Sequence, residues 1–212
     1  MTEDKTVSDI SSNTSFDGDE YTIEKKFLSM GGRYHIKDGS RKKVGFCEEQ
    51  TLKIKGELNI YDGEGKNEEL FRIKQENIAD FRGLFKVIDK KNEKVIGFLK
   101  RRSPESVVLS GWNILDDEKE LIGRAAEDSI LKNVVRSKGI GKRLPYRYKI
   151  HQNGAKVGYC KQRLTIFRDE YRLKIEKDLD PDVDRRLLVS LALLLDSVEG
   201  KYRKMKRVLS SF

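Results

Sequence analysis

The chain has 212 residues, and 44 Lys and Arg residues against 35 Asp and Glu residues give it a formal net charge of +9. With three Pro, 17 Gly and two Cys residues, the composition excludes collagen, Pro-rich linkers and disulfide scaffolds, and it indicates a reducing compartment. The length suits one large domain or two small ones, and 37% hydrophobic residues suffice for a buried core.

The N-terminal segment differs from the rest in charge. Residues 1–20 contain one Lys and six acidic residues, so the remaining chain carries +14. The segment has no apolar run and is therefore predicted to be neither a signal peptide nor a transit peptide. We predict an acidic, disordered tail over 1–20, a single folded domain over 21–205 and a C-terminal tail over 206–212.

The folded part begins with strands. Thr51–Tyr61 alternates between apolar and polar residues, and Tyr146–His151 and Tyr171–Glu176 do the same. Apolar residues with a period of two predict half-buried β-strands.

Four pairs of segments repeat one pattern, in which an apolar strand, a polar turn and a second strand with a glycine follow one another. This pattern predicts β-hairpins, and recurring hairpins favour an antiparallel barrel or sandwich. The glycine of each returning strand indicates a bend or a close approach by another group. The copies are Arg33–Cys47, Leu84–Phe98, Trp112–Gly123 and Arg147–Cys160.

A helix is predicted over 181–199. Asp180 and Pro181 suit its N-cap and first position, and Gly200 suits its end. From Leu187 to Leu195 every residue except Ser190 is apolar, which is typical of a helix that is buried on all sides. Because a membrane span needs about 20 residues, we expect the strands to enclose this helix instead.

These features resemble the tubby C-terminal-like superfamily, in particular its LURP-one-related and phospholipid scramblase branch. The resemblance rests on Tyr21–Met30, Gly97–Arg102, Leu164–Asp169 and the Asp178–Asp180 segment that leads to Leu187–Leu195. It implies a mostly β fold, namely a closed antiparallel barrel of about 12 strands around one hydrophobic C-terminal helix.

The resemblance also carries functional expectations. Members of the superfamily are associated with phosphoinositide binding, membrane-linked transcriptional regulation, lipid scrambling and plant defence. Scramblases have a Pro-rich N-terminal region and a cysteine cluster, whereas this chain has an acidic N-terminus and only Cys47 and Cys160. This difference weakens the scrambling interpretation.

The stretch Lys132–Lys149 contains seven Lys or Arg residues and no acid. Cations beside glycines suit phosphate oxygens, whereas the alternative is a solvated surface without a ligand. Gly139–Lys142 does not match a nucleotide-binding loop, because Arg143 stands where Ser or Thr would hold magnesium. The predicted anion-binding or phosphate-binding residues are Lys100, Arg101, Arg102, Arg136, Lys138, Lys142 and Arg143.

Other charged and thiol groups have simpler explanations. The cations of Lys201–Arg207 suit either an anionic membrane or the end of the preceding helix. The alternating acids of Asp178–Asp184 imitate a calcium loop but lack its glycine and its final glutamate, so helix capping explains them. The spacing of the two Cys and two His residues matches no zinc motif.

No catalytic set emerges, and we predict no catalytic residue, no metal and no cofactor. The leading hypothesis is a non-enzymatic, cytoplasmic binding protein, peripheral to membranes, that binds phosphoinositide or other phospholipid headgroups. The alternatives are a nucleic-acid-binding, transcription-associated protein and a protein-interaction module without a small ligand.

Overall fold

The computed structural model describes residues 16–26, 32–49, 56–76, 83–102, 111–128, 145, 147–164, 169–176, 179–180 and 183–199. These residues form twelve strands and one C-terminal helix. The strands are β1 (Glu20–Lys25), β2 (Arg33–Asp38), β3 (Lys43–Glu49), β4 (Glu57–Tyr61), β5 (Glu69–Gln75), β6 (Leu84–Asp89), β7 (Val95–Arg101), β8 (Gly111–Leu115), β9 (Leu121–Glu127), β10 (Arg147–Gln152), β11 (Ala155–Leu164) and β12 (Asp169–Ile175).

The strands form a closed antiparallel barrel. Each strand pairs with its sequence neighbours, and β1 pairs with β12 to complete the ring. The closing pair aligns Ile23 with Tyr171, both of which lie in the core. Closure leaves no sheet edge exposed. The predicted barrel of about 12 strands is therefore confirmed.

Period-two alternation fills the barrel interior. Leu58 and Ile60 of β4 point into the core, as do Tyr148 and Ile150 of β10. The intervening positions of β10 are polar and partly exposed, as expected of a strand with one solvated face. In β4 the intervening Glu57 and Asn59 are polar but buried.

The four repeated segments are the hairpins β2–β3, β6–β7, β8–β9 and β10–β11. A Cβ on Gly97 would lie 2.5 Å from the Leu115 carbonyl oxygen, and one on Gly158 would lie 2.6 Å from the Lys174 carbonyl oxygen. The predicted close approach at these glycines is therefore confirmed, because the following strand passes where a side chain would stand.

Helix α1 (Arg185–Leu194) runs through the barrel and continues as a π-helical turn, Leu195–Glu199. Every residue from Leu187 to Leu194 is buried. Since a helix that is apolar all round has no solvent-facing side, this burial confirms that the strands enclose it.

The helix N-cap was predicted at the wrong residue. Asp184, not Asp180, has the extended backbone of an N-cap, and its carboxylate accepts a hydrogen bond from the Arg186 backbone N–H. The backbone N–H of Asp180 instead donates to the side-chain oxygen of Gln152, 2.9 Å away.

Among the described residues, no helix is long and apolar enough to cross a bilayer.

The barrel has two different rims. The hairpin rim carries the five turns that follow β2, β4, β6, β8 and β10. The far rim carries the ends of the odd-numbered strands and the beginnings of the even-numbered ones. The helix starts at the hairpin rim, where Arg186 contacts Asp89, and it ends at the far rim, where Asp196 contacts Lys25.

Part of the predicted acidic tail contacts the barrel. Phe16 is buried in the core at the hairpin rim, with its ring centroid 5.2 Å from that of Phe71 and 5.9 Å from that of Tyr21. Asp19 lies 3.0 Å from the guanidinium of Arg185. Residues 1–15 and 200–212 lie outside the described part of the chain.

Candidate anion-binding face

Strands β7–β11 differ in charge from strands β1–β6. Strands β7–β11 contain eight Lys or Arg residues and one acidic residue, Glu127. Strands β1–β6 contain seven Lys or Arg residues and eight Asp or Glu residues. The positive charge of the strands is therefore concentrated on one side of the barrel.

On the neutral side, acidic residues neutralise the cations. Six of the seven Lys and Arg residues of β1–β6 form ion pairs, and Lys74 forms none with another residue in the described part of the chain. The nitrogen–oxygen distances are 2.5 Å for Lys25–Asp196, 3.0 Å for Arg33–Glu48, 2.7 Å for Lys37–Glu24, 3.5 Å for Lys43–Glu64, 3.1 Å for Arg72–Glu57 and 2.8 Å for Lys86–Glu76.

On the basic side, most cations lack such partners. Lys149 pairs with Asp128 at 3.2 Å, and Lys156 pairs with Glu176 at 2.5 Å. Within the described residues, no ion pair is formed by Lys100, Arg102, Arg124, Arg147, Lys161 or Arg163. We call these six residues the basic face. Cations without internal counter-ions raise the local concentration of anions.

Strand alternation separates the predicted triplet Lys100–Arg102. Leu99 lies in the core, so Lys100 of β7 and Arg102, which directly follows β7, belong to the outer side of the barrel wall. Arg101 is the cross-strand partner of the buried Trp112 and shares its inward-facing side at the far rim. Two of these three predicted residues therefore lie together on the outer wall, and the third does not.

The other predicted residues, Arg136, Lys138, Lys142 and Arg143, lie outside the described residues. The segment that contains them leaves β9 at Asp128 and returns to β10 at Arg147, and both points lie at the far rim beside Lys149. Their part in anion binding stays a prediction.

Sequence reasoning missed Arg124, Lys161 and Arg163. It searched for runs of cations, whereas these residues are dispersed in sequence and are brought together by strand pairing. Arg124 lies across from His151, and Lys161 lies across from Arg147. The available signal was the scarcity of acids in β7–β11, which is visible once the hairpins are aligned.

Arg147 combines charge with an aromatic contact. Its guanidinium carbon lies 5.3 Å from the ring centroid of Tyr159, and Lys156 Nζ lies 5.7 Å from the same centroid. Such cation–π contacts hold a cation in place without neutralising it.

A second polar cluster is buried at the far rim and has its hydrogen bonds satisfied. Asp196 accepts hydrogen bonds from the hydroxyls of Tyr34 at 2.8 Å and Tyr171 at 3.0 Å, and it lies 2.5 Å from Lys25 Nζ. Burial, reinforced by the Asp196 charge, raises the pKa of both tyrosines well above the usual value. The cluster fixes the end of the helix to β1, β2 and β12.

The thiols and imidazoles form no metal site in the described part of the chain. Cys47 and Cys160 are free and buried, and burial raises the pKa of the Cys160 thiol to about 12. A thiol with such a pKa is a poor nucleophile at neutral pH. Burial lowers the pKa of His35, which lies 2.9 Å from a carboxylate oxygen of Glu64.

Comparisons with known proteins agree with this architecture. The family model described as LURP-one-related matches residues 19–196. The X-ray structure of an Arabidopsis thaliana protein matches with a TM-score of 0.50 and 12% identity, over 88% of this chain and 96% of that one. At this identity the structural match supports the fold alone. The search of curated proteins gave no match.

Proposed function

The chain belongs to the LURP-one-related family of tubby-like barrels, and from this premise we propose that it is a non-enzymatic binding protein. We propose that the basic face binds anionic ligands, namely phosphoinositide or other phospholipid headgroups at the surface of a membrane. The observation that carries the proposal is the basic face, whose six cations form no ion pair with another described residue. The protein would then act in the cytoplasm, peripheral to membranes.

The charge of the face sets the scale of binding. A cation near an anionic membrane contributes about 1 kcal/mol, so six cations contribute roughly 6 kcal/mol. That energy corresponds to a dissociation constant of the order of 10–100 µM. Selective binding at lower concentrations therefore requires hydrogen bonds to a particular headgroup in addition to charge.

The thiols and the buried carboxylate among the described residues are consistent with a binding role, because they are enclosed in the barrel. The buried thiols of Cys47 and Cys160 have raised pKa values, which disfavours the reactive thiolate at neutral pH. Asp196, although buried, is occupied by Lys25 and two tyrosines. These groups stabilise the barrel and leave the outer wall as the surface for a ligand.

The proposal is tested by co-sedimentation with vesicles at physiological salt. Neutral phosphatidylcholine vesicles are compared with vesicles that also contain a phosphorylated phosphatidylinositol. We expect the protein to sediment with the second kind only and to remain bound when DNA is added as a competitor.

Charge-matched variants separate the basic face from net charge. Lys161→Glu/Arg163→Glu and the control Lys91→Glu/Lys94→Glu both lower the formal net charge from +9 to +5. The control residues are exposed at the hairpin rim, away from the basic face. We expect the first variant to lose at least about tenfold in vesicle affinity and the control to lose less than about threefold. Equal losses would contradict a role for this particular face.

The residues predicted outside the described part are tested separately. The triple variant Lys138→Glu/Lys142→Glu/Arg143→Glu is expected to weaken vesicle binding in the same assay. Binding to DNA with a steep linear fall of log affinity against log salt, and no preference among vesicles, would instead support the nucleic-acid alternative.

A further inference from the structure

The described end of the acidic N-terminal segment pairs with cations of the barrel. Asp19 lies 3.0 Å from a guanidinium nitrogen of Arg185, and Glu20 lies 3.7 Å from one of Arg172. Phe16 anchors the chain before these acids, because its ring is buried at the hairpin rim, where a Cβ on Gly45 would lie 3.2 Å from its Cζ atom. The residues that precede Phe16 are therefore tethered to this rim.

Three cations lie side by side on the outer wall of the barrel. Strand register places Lys161 of β11 between Arg147 of β10 and Arg172 of β12, and each has a sequence neighbour in the core, so its own side chain lies outside. Like charges directly across from one another destabilise a sheet. Arg172 contacts Glu20 and Glu170 at 3.7 and 4.0 Å, and the other two pair with no described acid. We call Arg147, Lys161 and Arg172 the cation row, and an anion placed across it would relieve this repulsion.

The sequence before Phe16 combines acidic and hydroxyl side chains. Seven of residues 1–15 are Ser or Thr, and three acids against one Lys give their side chains a net charge of −2. Each phosphate group on a hydroxyl adds a charge of about −1.5 to −2 and three hydrogen-bond acceptors. Two such groups would bring the segment to about −5 to −6, which exceeds the three positive charges of the cation row.

Two of these hydroxyl residues, Thr6 and Ser8, stand at a suitable distance from the anchor. An extended chain spans about 3.3 Å per residue, so Ser8 reaches about 26 Å from Phe16 and Thr6 about 33 Å. The path from β1 to Lys161 crosses two strand spacings, about 10 Å, and runs about 20 Å along β11 from Ala155. Residues i and i+2 of an extended segment point to the same side, so both hydroxyls can face the cation row together.

We propose that phosphorylation of Thr6 and Ser8 converts the N-terminal segment into an internal ligand that covers the cation row. In this modification a protein kinase transfers the γ-phosphoryl group of ATP to each hydroxyl oxygen, and ADP and the hydroxyl proton are released. Asp9, directly after Ser8 and three residues after Thr6, gives both positions the acidic context that one class of kinases selects. The two guanidiniums of the cation row then hold phosphate oxygens in pairs, and the ammonium group between them adds a point charge.

This inference rests on the proposed function, because it adds regulation to the basic face, to which Arg147 and Lys161 belong. The tether at Phe16 keeps the segment at an effective concentration in about the millimolar range. A modest affinity for the cation row therefore suffices to displace a ligand on a membrane. Phosphorylation thus releases the protein from an anionic surface, and removal of the phosphates restores binding.

The contact itself is tested by the reactivity of lysines in the full chain, with and without phosphate groups incorporated at Thr6 and Ser8. Acetic anhydride labels accessible lysines, and mass spectrometry measures the rate at each position. We expect the phosphates to slow the labelling of Lys161 at least about threefold and to leave Lys91, which is exposed in the β6–β7 turn, unchanged. Sodium chloride at 0.5 M should abolish the protection, because the Debye length falls to about 4 Å.

Matched variants of the phosphorylated chain test the cation row. Arg147→Gln/Arg172→Gln removes both guanidiniums, so we expect Lys161 to be labelled within about twofold of its rate in the unphosphorylated chain. The control Lys91→Gln/Lys94→Gln also removes two cations, from the exposed β6–β7 turn, and should keep Lys161 protected. If the first variant keeps the protection as well, the cation row is not the binding position and the proposal is wrong.

The effect on the basic face is measured with vesicles that contain a phosphorylated phosphatidylinositol. We expect the phosphorylated chain to bind them at least about tenfold more weakly than the unphosphorylated chain. Thr6→Glu/Ser8→Glu, in which each added group carries a single charge, should show a smaller loss in the same direction.

The outcomes separate this contact from the membrane proposal. If the unphosphorylated chain binds no vesicle while the phosphates still protect Lys161, the contact stands and the membrane proposal is overturned. If Lys161→Glu/Arg163→Glu loses vesicle binding as proposed, but the phosphates leave the labelling of Lys161 unchanged or slow Lys91 equally, the membrane proposal stands and the contact is overturned.

Discussion

At the residue scale, Glu64 shows how one turn residue joins separate strands. It lies in the β4–β5 turn, yet its carboxylate contacts Lys26 at 2.6 Å, His35 at 2.9 Å and Lys43 at 3.5 Å. The hydrogen bond from Lys26 is the largest cause that lowers the pKa of Glu64 to about 2, and the contacts with His35 and Lys43 add to it. The contacts therefore favour the ionised carboxylate in the folded chain.

This pKa predicts a loss of stability in acid. The unfolded value is 4.5, so the contribution of Glu64 is complete above that pH and is lost as the pH falls through the folded value of about 2. Urea unfolding at pH 7, 4.5 and 3 should show the unchanged chain losing more stability than Glu64→Gln over this range.

The control is Glu118→Gln, which removes an exposed carboxyl from the β8–β9 turn. Its unfolding midpoint should follow that of the unchanged chain at each pH. A Glu64→Gln variant that also follows it down to pH 3 would show that the Glu64 contacts add nothing in solution.

Single residues were only partly predictable. Lys100 and Arg102 were predicted as anion-binding residues because they adjoin a third cation in sequence, and both lie on the outer wall. The search for runs of cations missed Arg124, and it placed Arg101 with its neighbours although strand alternation turns it inward beside Trp112. Sequence proximity cannot reveal which cations face an acid across a strand, because that depends on register.

At the element scale, the glycines of the returning strands have a common structural role. Gly97, Gly123 and Gly158 each face a carbonyl oxygen of the following strand, at 2.5, 3.1 and 2.6 Å from an added Cβ. Gly97 also faces the helix, where the Cδ2 atom of Leu187 would lie 3.1 Å from that Cβ. The glycine allows β7 and β8 to bend around the helix.

Gly97→Ala should accordingly destabilise the barrel. A methyl group 2.5 Å from a backbone oxygen forces the strands apart, and overpacking of this kind costs about 1–3 kcal/mol. The matched control is Gly63→Ala, because nothing lies within 4 Å of a Cβ there. Urea unfolding should show a lower midpoint for the first variant and a change within about 0.5 kcal/mol for the second. Equal midpoints would mean that the strands yield without cost.

The hairpins and the helix were predictable from local patterns, since alternation, turn residues and an apolar run each act over a few positions. The exact start of the helix was not. Asp180 was predicted as the N-cap, whereas Asp184 takes that position. The backbone N–H of Asp180 donates to the side chain of Gln152 in β10, a contact that no local pattern could show.

At the scale of the whole molecule, the closure of the barrel and the uneven distribution of its charge arise from different features of the sequence. The closing pair β1–β12 joins segments at opposite ends of the domain, and the strand count was expected from the resemblance to the tubby-like superfamily, not from any local pattern. The separation of charge follows from which hairpins are neighbours. Ion pairs neutralise β1–β6, while β7–β11 present cations to the surroundings, which gives the barrel one side suited to an anionic partner.

The enclosed helix makes the whole fold sensitive to one position. Leu191 is fully buried at the middle of α1 and is surrounded by the barrel, so Leu191→Asp would place an unpaired carboxylate in the core. A core carboxyl group without a partner costs several kcal/mol, whether it stays charged or takes up a proton. That cost approaches the usual stability of a domain, about 5–15 kcal/mol, and the chain should fail to fold. The milder Leu191→Ala should still fold, with a loss of about 2–5 kcal/mol.

Leu121→Asp provides the comparison, because Leu121 is an exposed leucine with 45% of its surface accessible. This variant adds the same charge outside the barrel and should change the stability by no more than about 0.5 kcal/mol. Far-ultraviolet circular dichroism and urea unfolding distinguish the three variants. If Leu191→Asp folds with the midpoint of Leu121→Asp, solvent reaches the middle of the helix and the strands do not enclose it. If it unfolds while Leu191→Ala loses a few kcal/mol, the helix acts as the core on which the twelve strands close.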